Sequence, residues 1–259
     1  MSRWLRLARL ALHFARGLFT AALLFPFQSP QRRKREIRRW AARLLDVLAL
    51  RLHVHGALAD ERPLMLIANH VSWLDIFAMQ SVLPVRFVAK SEVRRWPLAG
   101  WLSARAGTLF IERARRHDTA RINDLIVRSL REGCVFAVFP EGTTTDGSHV
   151  LKFHASLLAP ALEVGAALQP VAIRFERVDG TLCTEAAFDG VRSLWETVMG
   201  ITSQREVHVH VRFLAPLAPS GRRRREIANE AREAISRSLF PEASSNRTGT
   251  HAGLPAAAR

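Results

Sequence analysis

Residues 64–75 read LMLIANHVSWLD, and the prediction of the fold starts from this stretch. Its first five residues form a short, continuous apolar run, which is typical of a strand buried on both faces. A polar segment follows immediately and leads into a helical pattern near 73–82. Polar side chains at the end of a buried strand, where a helix begins, occupy the position at which α/β folds carry their functional sites.

The same alternation of apolar runs and helical patterns continues along the chain. Further strands are predicted at 85–89, 108–111, 135–139, 171–175 and 207–214, and further helices at 97–105, 118–132, 153–165 and 221–239. Strands that alternate with helices predict an α/β fold with a mixed, largely parallel sheet flanked by helices. We expect this domain to span residues 56–240, followed by a disordered Ser-, Gly-, Ala- and Thr-rich tail at 241–259.

Residues 1–55 have a different composition and are predicted to form two helices, at about 3–26 and 35–52. At about 100° per residue, the basic residues of the first helix fall within an arc of roughly 140°. These are Arg3, Arg6, Arg9, His13 and Arg16, and the opposite side carries Trp4, Leu7, Ala11, Phe14 and Leu18. This pattern is typical of a helix that lies in the bilayer interface. A surface helix packed on the core is the alternative.

The N-terminal helices are expected to bind the membrane without crossing it. The longest charge-free stretch, 17–31, contains two prolines and is shorter than the roughly 20 apolar residues that a helical span needs. Arginines recur through this region and no small-residue cleavage site follows it, so a secretory signal fits poorly.

The net charge of +15 indicates an anionic partner, either nucleic acid or an acidic membrane. Twelve of the 38 Lys and Arg residues, but only two acids, lie in residues 1–51. The chain has no Tyr and no aromatic-basic RNA motif, so we expect anionic membrane lipids and no nucleic acid. Cys134 and Cys183 form no disulfide framework, which favours a reducing compartment.

His70 and Asp75 are the first candidate catalytic residues. Where a strand turns into a helix, the carboxylate can fix one imidazole nitrogen and leave the other free as a base. Such a base suits an alcohol nucleophile, and general-base assistance contributes about 10²–10⁴ in rate. Ordinary polar residues at a helix N-terminus would produce the same spacing.

Two further segments follow predicted strands. Residues 139–144, FPEGTT, offer a glycine and hydroxyl groups that suit an anion or a polar headgroup. Residues 107–113, GTLFIER, end in Arg113, which can bind phosphate bidentately. A plain turn and a solvated arginine are the alternatives. The lysine of a phosphate-binding loop is absent after Gly147, which excludes a nucleoside triphosphatase of that type.

Taken in order, Asn-His-x4-Asp, Gly-x-x-Phe-Ile-x-Arg and Phe-Pro-Glu-Gly-Thr resemble the motifs of the glycerolipid acyltransferase family. An apolar run with a proline at 169–173 matches a fourth family block, so the resemblance covers roughly residues 60–215. It implies an α/β domain behind a two-helix membrane-binding motif. It also implies transfer of a fatty acyl group from an acyl thioester, on coenzyme A or acyl carrier protein, to the free hydroxyl of a lysolipid.

The resemblance assigns roles to individual residues. His70 would be the base and Asp75 its orienting carboxylate. The acceptor-binding residues would be Lys90, Arg113, Glu141, Gly142 and Thr143. No metal and no cofactor are expected. The acceptor implied first is 1-acylglycerol-3-phosphate, which gives phosphatidic acid at the cytoplasmic face of a bacterial inner membrane.

One departure from the family bears on the acceptor. Many members that use lysophosphatidic acid continue Glu-Gly-Thr with Arg-Ser, whereas this chain continues with Thr144-Thr145-Asp146-Gly147. Lyso-ornithine lipid is therefore an alternative acceptor. A basic nucleic-acid- or membrane-binding protein without catalysis is the alternative of another class.

Two pairs of alternating histidines lie outside these motifs: His208 and His210 on the predicted strand at 207–214, and His53 and His55. Alternation places each pair on one face, where two metal ligands could arise. The solvated face of a half-buried strand is the commoner explanation, and no metal site is predicted.

Overall fold

Seven strands form one sheet in the residues that this computed structural model describes, 2–96, 99–111 and 116–241. The strands are β1 (Leu50–His55), β2 (Leu64–Ala68), β3 (Val85–Lys90), β4 (Leu109–Ile111), β5 (Val135–Val138), β6 (Ala167–Arg177) and β7 (Val207–Phe213). Their order is β1-β7-β6-β2-β5-β3-β4. Every pair is parallel except β6–β7, which is antiparallel. The predicted mixed, largely parallel sheet is therefore confirmed.

The central strands are apolar because both of their faces are covered. Every residue of β2 and β5 is buried. By contrast, β7 alternates between buried valines and half-buried polar residues, as expected near an edge where one face is less covered.

Helices cover the two faces of this sheet. One core lies between the sheet and α1 (Arg3–Phe19), α2 (Pro30–Val47), α3 (Leu74–Val82) and α7 (Leu194–Ser203). The other core lies between the sheet and α5 (Arg116–Arg131), α6 (Ala159–Glu163) and α8 (Arg224–Leu239). The short helix α4 (Ala99–Arg105) precedes β4. Of the tail predicted at 241–259, residues 242–259 lie outside the described residues.

The second helix is predicted at about 35–52, whereas α2 begins at Pro30 and ends at Val47. Ser29 caps α2 by accepting a hydrogen bond from the Arg32 amide, and Pro30 occupies the first turn. The helix ends at Val47, Ala49 adopts a left-handed conformation, and β1 follows. Pairing of β1 with the distant β7 overrides the local helical pattern.

The N-terminal helix is longer than its charge-free stretch suggests. After α1, a π-helical turn (Thr20–Leu24) and a 3₁₀ turn (Phe25–Phe27) continue the coil. The resulting segment Arg3–Phe27 is long and apolar enough to cross a membrane, by length and composition alone. The argument that this region is too short for a span was therefore wrong, while its interfacial orientation stays a prediction.

The basic residues predicted to share one face of α1 fall into a buried group and an exposed group. Arg6 and His13 are buried against the rest of the protein, whereas Arg3, Arg9 and Arg16 are exposed. Arg6 donates to the carbonyl oxygens of Thr202, Gln204 and Arg205, at the end of α7. His13 stacks on Trp40 of α2, with ring centroids 4.5 Å apart, and its Nε2 lies 3.1 Å from the Trp40 carbonyl oxygen.

With these polar residues turned inward, apolar side chains of the N-terminal segment point away from the protein. The exposed large residues are Trp4, Leu5, Leu12, Phe19, Leu23, Leu24 and Phe27. Phe27 is 90% exposed and Trp4 is 73% exposed. An apolar surface of this extent on one helix is the kind that contacts a membrane or a partner.

Candidate active site

The polar turn after β2 begins with Asn69, whose side chain extends the sheet. Its Nδ2 donates to the Ile173 carbonyl oxygen at 2.9 Å, and its Oδ1 accepts from the Ile173 amide at 2.8 Å. This pair continues the parallel pairing of β2 with β6 beyond Ala68. The main chain can therefore leave the sheet at Asn69 without exposing unpaired groups of β6.

His70 and Asp75 meet as the sequence predicts. His70 Nδ1 lies 2.8 Å from Asp75 Oδ2, and the same oxygen accepts from the amides of Val71 at 2.8 Å and Ser72 at 2.9 Å. Asp75 is completely buried, whereas the His70 side chain is 19% exposed. The carboxylate thus fixes the Nδ1–H tautomer and directs Nε2 toward solvent or substrate.

Glu141 connects the loop after β5 to the turn that carries His70. Its Oε1 accepts from the His70 amide at 2.8 Å, and its Oε2 accepts from the Leu151 amide at 2.9 Å. Burial raises the pKa of this carboxyl, and the hydrogen bonds from the two amides oppose that shift. Both oxygens already have backbone partners, so Glu141 holds the turn in place. A direct contact of Glu141 with the acceptor stays a prediction.

Phe139, in the segment predicted to bind the acceptor, forms one wall of the site. Its ring stacks on the His70 imidazole with centroids 3.9 Å apart and an interplanar angle of 12°. Phe87 lies parallel to Phe139 on the next strand, at 5.8 Å. Stacking on Phe139 restricts movement of the His70 ring perpendicular to its plane, which the hydrogen bond to Asp75 does not restrict. The quoted motif contains Phe139, but only the strand neighbours reveal its role.

The loop from Gly142 to Gly147 lies directly against the turn that carries His70. Gly142 adopts a φ of 75°, which lets the chain reverse after Glu141. The Thr145 amide donates to the His70 carbonyl oxygen at 2.9 Å. Thr143 is exposed, which fits a role in binding an acceptor from solvent or membrane.

For two other predicted acceptor-binding residues, Lys90 and Arg113, the structure does not describe the side chain. Lys90 is the last residue of β3 and pairs with Ile111 of β4, and the structure describes its backbone alone. Arg113 lies outside the described residues. The roles of both side chains stay predictions.

A largely apolar cavity of about 360 Å³ lies between the N-terminal helices, α3 and α7. Ile76 and Phe77 of α3, and Trp73 just before it, line this cavity, and α3 follows the turn that carries His70. The cavity could not be predicted from the sequence, because it depends on how α1 and α2 pack over the sheet. One oriented imidazole, and an apolar cavity lined by the start of the helix that follows it, suit activation of a hydroxyl on a molecule with a long apolar chain.

Comparisons with known proteins agree with this geometry. The Acyltransferase family model matches residues 51–174. The chain is 41% identical over 216 residues to the lyso-ornithine lipid O-acyltransferase of Pseudomonas aeruginosa, covering 83% of each chain. It is 35% identical over 190 residues to the 1-acyl-sn-glycerol-3-phosphate acyltransferase of Neisseria meningitidis, covering 71% of this chain and 72% of the other.

A solved structure gives an independent check of the fold. The crystal structure of the 1-acyl-sn-glycerophosphate acyltransferase PlsC from Thermotoga maritima matches with a TM-score of 0.63 and 21% identity. The match covers 97% of this chain and 100% of that chain. This match supports the fold, and the relatives above show that this chain belongs to the acyltransferase family.

Proposed function

We propose that this protein transfers a fatty acyl group from an acyl thioester to the free hydroxyl of a lysolipid, and that the acceptor is lyso-ornithine lipid. The observation that carries the reaction type is the His70–Asp75 pair, in which Nδ1 is engaged and Nε2 is available as a base. Acyl-CoA or acyl carrier protein supplies the thioester, and the reaction needs no metal or cofactor.

His70 Nε2 takes the proton of the acceptor hydroxyl as its oxygen attacks the thioester carbonyl carbon. A new ester C–O bond forms, the C–S bond breaks, and the proton passes from His70 to the departing thiolate. The Asp75 carboxylate stabilises the imidazolium between these steps. Since Asp75 Oδ2 also holds two backbone amides, it needs little reorganisation as the charge appears.

The cavity beside α3 supports the use of a long-chain substrate. Its lining is mostly apolar, and four arginines, Arg16, Arg32, Arg39 and Arg43, also belong to it. An acyl chain inside this cavity avoids exposure to water, which costs about 0.8 kcal/mol per methylene.

The acceptor is assigned from the loop next to His70. Its Asp146 accepts hydrogen bonds from the Ser148 amide at 2.9 Å and from the Ser148 hydroxyl. These bonds lower the pKa of Asp146, so the carboxylate is ionised at neutral pH. An acidic group here suits the ammonium of an ornithine headgroup better than a phosphate. The relative at 41% identity, a lyso-ornithine lipid O-acyltransferase, supports the same choice.

The second candidate acceptor is 1-acylglycerol-3-phosphate, which the family motifs imply first. Arg113 in the Gly-x-x-Phe-Ile-x-Arg motif favours it, because a guanidinium binds phosphate bidentately. The 1-acyl-sn-glycerol-3-phosphate acyltransferase at 35% identity supports it as well.

A panel of acceptors with a labelled acyl donor distinguishes the two. We expect kcat/KM to be higher for lyso-ornithine lipid than for 1-acylglycerol-3-phosphate. Replacing Asp146 with Asn should raise the KM for lyso-ornithine lipid by about 2- to 5-fold, since the carboxylate is partly exposed. Asp179→Asn is a matched control, because Asp179 holds Thr181 in the same type of turn elsewhere on the surface. Higher kcat/KM for the phosphate acceptor would reverse the assignment.

We propose that the N-terminal helices bring this site to anionic lipid at the cytoplasmic face of the inner membrane. The exposed apolar residues of Arg3–Phe27 and the exposed arginines beside them support this. Liposome flotation of the full chain and of a shortened chain starting near Arg51 tests it. Binding should fall without anionic lipid or at high salt. Equal flotation of both chains would contradict the proposal, and protease protection of one terminus would indicate a true span.

A further inference from the structure

Histidine side chains from β1 and β7 gather on one face at the edge of the sheet. The strands are parallel, with Arg51 opposite His208 and His53 opposite His210. Val207, Val209 and Val211 are fully buried on the other face and anchor β7 in the core. The alternation of β7 therefore fixes His208 and His210 on the less covered face, where His53 joins them.

The ring nitrogens of these three residues approach one another closely. One nitrogen from each of His53, His208 and His210 lies within 4.8 Å of the other two. His53 Nε2 and His208 Nδ1 are 2.9 Å apart. Nitrogens bound tetrahedrally to one zinc ion at 2.0–2.1 Å would lie roughly 3.3 Å apart. The separations here are of that order, and rotation of the nearly parallel rings would turn the nitrogens toward one ion.

Carboxylates lie on the outer side of two of the rings. His208 Nε2 is 3.3 Å from Glu206 Oε1, and His210 Nε2 is 3.2 Å from Glu176 Oε2. The carboxylates are held by arginines, Arg51 on Glu206 at 2.8 Å and Arg174 on Glu176 at 2.7 Å. Metal-binding histidines characteristically direct their second nitrogen to a carboxylate, which orients the ring. In His208 this leaves Nδ1, the nitrogen nearest to His53, for the metal.

From this geometry we infer that His53, His208 and His210 form a binding site for a zinc-class divalent transition metal ion. Three imidazole nitrogens and one water complete a tetrahedral shell. Imidazole ligands select zinc, copper or nickel, whereas magnesium and calcium prefer oxygen ligands.

This site is separate from the acyltransferase site. In the sheet order, β6 lies between β7 and β2, which carries His70 at its end. A metal at the edge would bind no group of the catalytic turn. Its direct effect would be mechanical, because it would tie the edge strand β1 to β7 at the point where α2 joins the sheet.

Zinc titration of the full chain, prepared without a polyhistidine tag and freed of metal, tests this inference. We expect one equivalent to bind by calorimetry, and magnesium not to bind. At about 100 times the Kd, zinc should raise the Tm by roughly 5–10 °C, because a ligand that binds only the folded state stabilises it.

Variants separate this site from other histidines of the chain. His53→Gln and His208→Gln should each weaken zinc binding by about 10-fold or more, and the double variant should lose the one-equivalent transition. His149→Gln, an exposed histidine outside the cluster, and His70→Ala should both bind zinc as the original chain does. The Tm of each variant is first measured without metal and compared with that of the original chain, so that a misfolded variant is recognised.

Two results would overturn the inference. One is the absence of one-equivalent zinc binding by the original chain. The other is unchanged affinity and stoichiometry in the folded double variant, which would mean that zinc binds elsewhere. Neither result affects the proposed acyl transfer, which is measured independently.

Discussion

Two regions of the molecule bring histidines and carboxylates together, but they do so in different environments. At the end of β2, one imidazole faces one completely buried carboxylate, which is also fixed by two backbone amides. At the β1–β7 edge, several imidazoles face one another, and each nearby carboxylate is shared with an arginine. The first arrangement leaves one oriented nitrogen on the turn that leads into α3. The second brings one nitrogen from each of three imidazoles within 4.8 Å of the others.

The difference shows how the same residue types serve different chemistry. Among the described residues, Asp75 forms an ion pair with His70 alone, so in the proposed mechanism its charge is available to the imidazolium. Glu176 and Glu206 already neutralise Arg174 and Arg51, and each also lies within 3.3 Å of a histidine ring nitrogen. A general base requires the first situation, whereas a set of metal ligands suits the second.

Removing the imidazole at the first region should have the largest effect. His70→Ala is expected to lower kcat by about 10²–10⁴ while leaving the fold intact, because no other described base approaches the position of Nε2. Steady-state transfer measures the loss, and circular dichroism checks folding. Near-normal turnover in the folded variant would end the mechanism proposed here.

Neutralising the carboxylate should have the next largest effect. Asp75→Asn is expected to lower kcat by roughly 10- to 100-fold, since the imidazole loses the charge that orients and stabilises it. Glu206→Gln is the matched change at the edge and should leave kcat within about twofold. Equal losses in the two variants would remove the distinction between the regions.

Glu141 tests the same contrast through stability. In Glu141→Gln, an NH₂ group replaces one carboxylate oxygen. One of the two backbone amides that donate to Glu141 would then face another donor. An unsatisfied buried donor costs about 1–3 kcal/mol, so the Tm should fall by roughly 2–10 °C. Glu176→Gln keeps a side-chain oxygen for Arg174 in a half-buried ion pair and should change the Tm by less. Thermal unfolding monitored at neutral pH compares them, and an unchanged Tm for Glu141→Gln would contradict the positioning role.

The smallest effect on transfer is expected at the edge histidines. His208→Gln should leave kcat and KM within about twofold, because β6 separates it from the catalytic strand. The measurement is made without added metal, so that any stabilisation by zinc does not enter. A tenfold loss of kcat in a folded variant would mean that the two regions are coupled.

Much of the catalytic turn could be predicted because it is local. His70 and Asp75 are five residues apart and follow a recognisable buried strand, so spacing alone brings them together. The scaffold role of Glu141 and the stacking of Phe139 depend on which strands are neighbours, and the sequence gives no register for β2 and β5. The family predicted from the three motifs is confirmed.

The N-terminal region, by contrast, could be predicted only in part. Periodicity identifies an amphipathic helix but cannot tell which face meets the protein. Arg6 is buried because three carbonyl oxygens at the end of α7 accept its hydrogen bonds, and these carbonyls come from residues nearly two hundred positions away. The strand β1 and the histidine cluster were missed for the same reason, since both require the β1–β7 pairing.

The side chain of Asn69 has a consequence for how this enzyme is made. Its two hydrogen bonds with Ile173 join residues 104 positions apart, and through them the chain leaves β2 at the catalytic turn. During synthesis on the ribosome, residues 64–75 emerge long before their partner on β6. An incomplete chain that stops before Ile173 therefore carries His70 and Asp75 without the hydrogen bonds that hold Asn69 to the sheet. The turn around His70 is completed only by a long-range contact, a kind that forms slowly during folding.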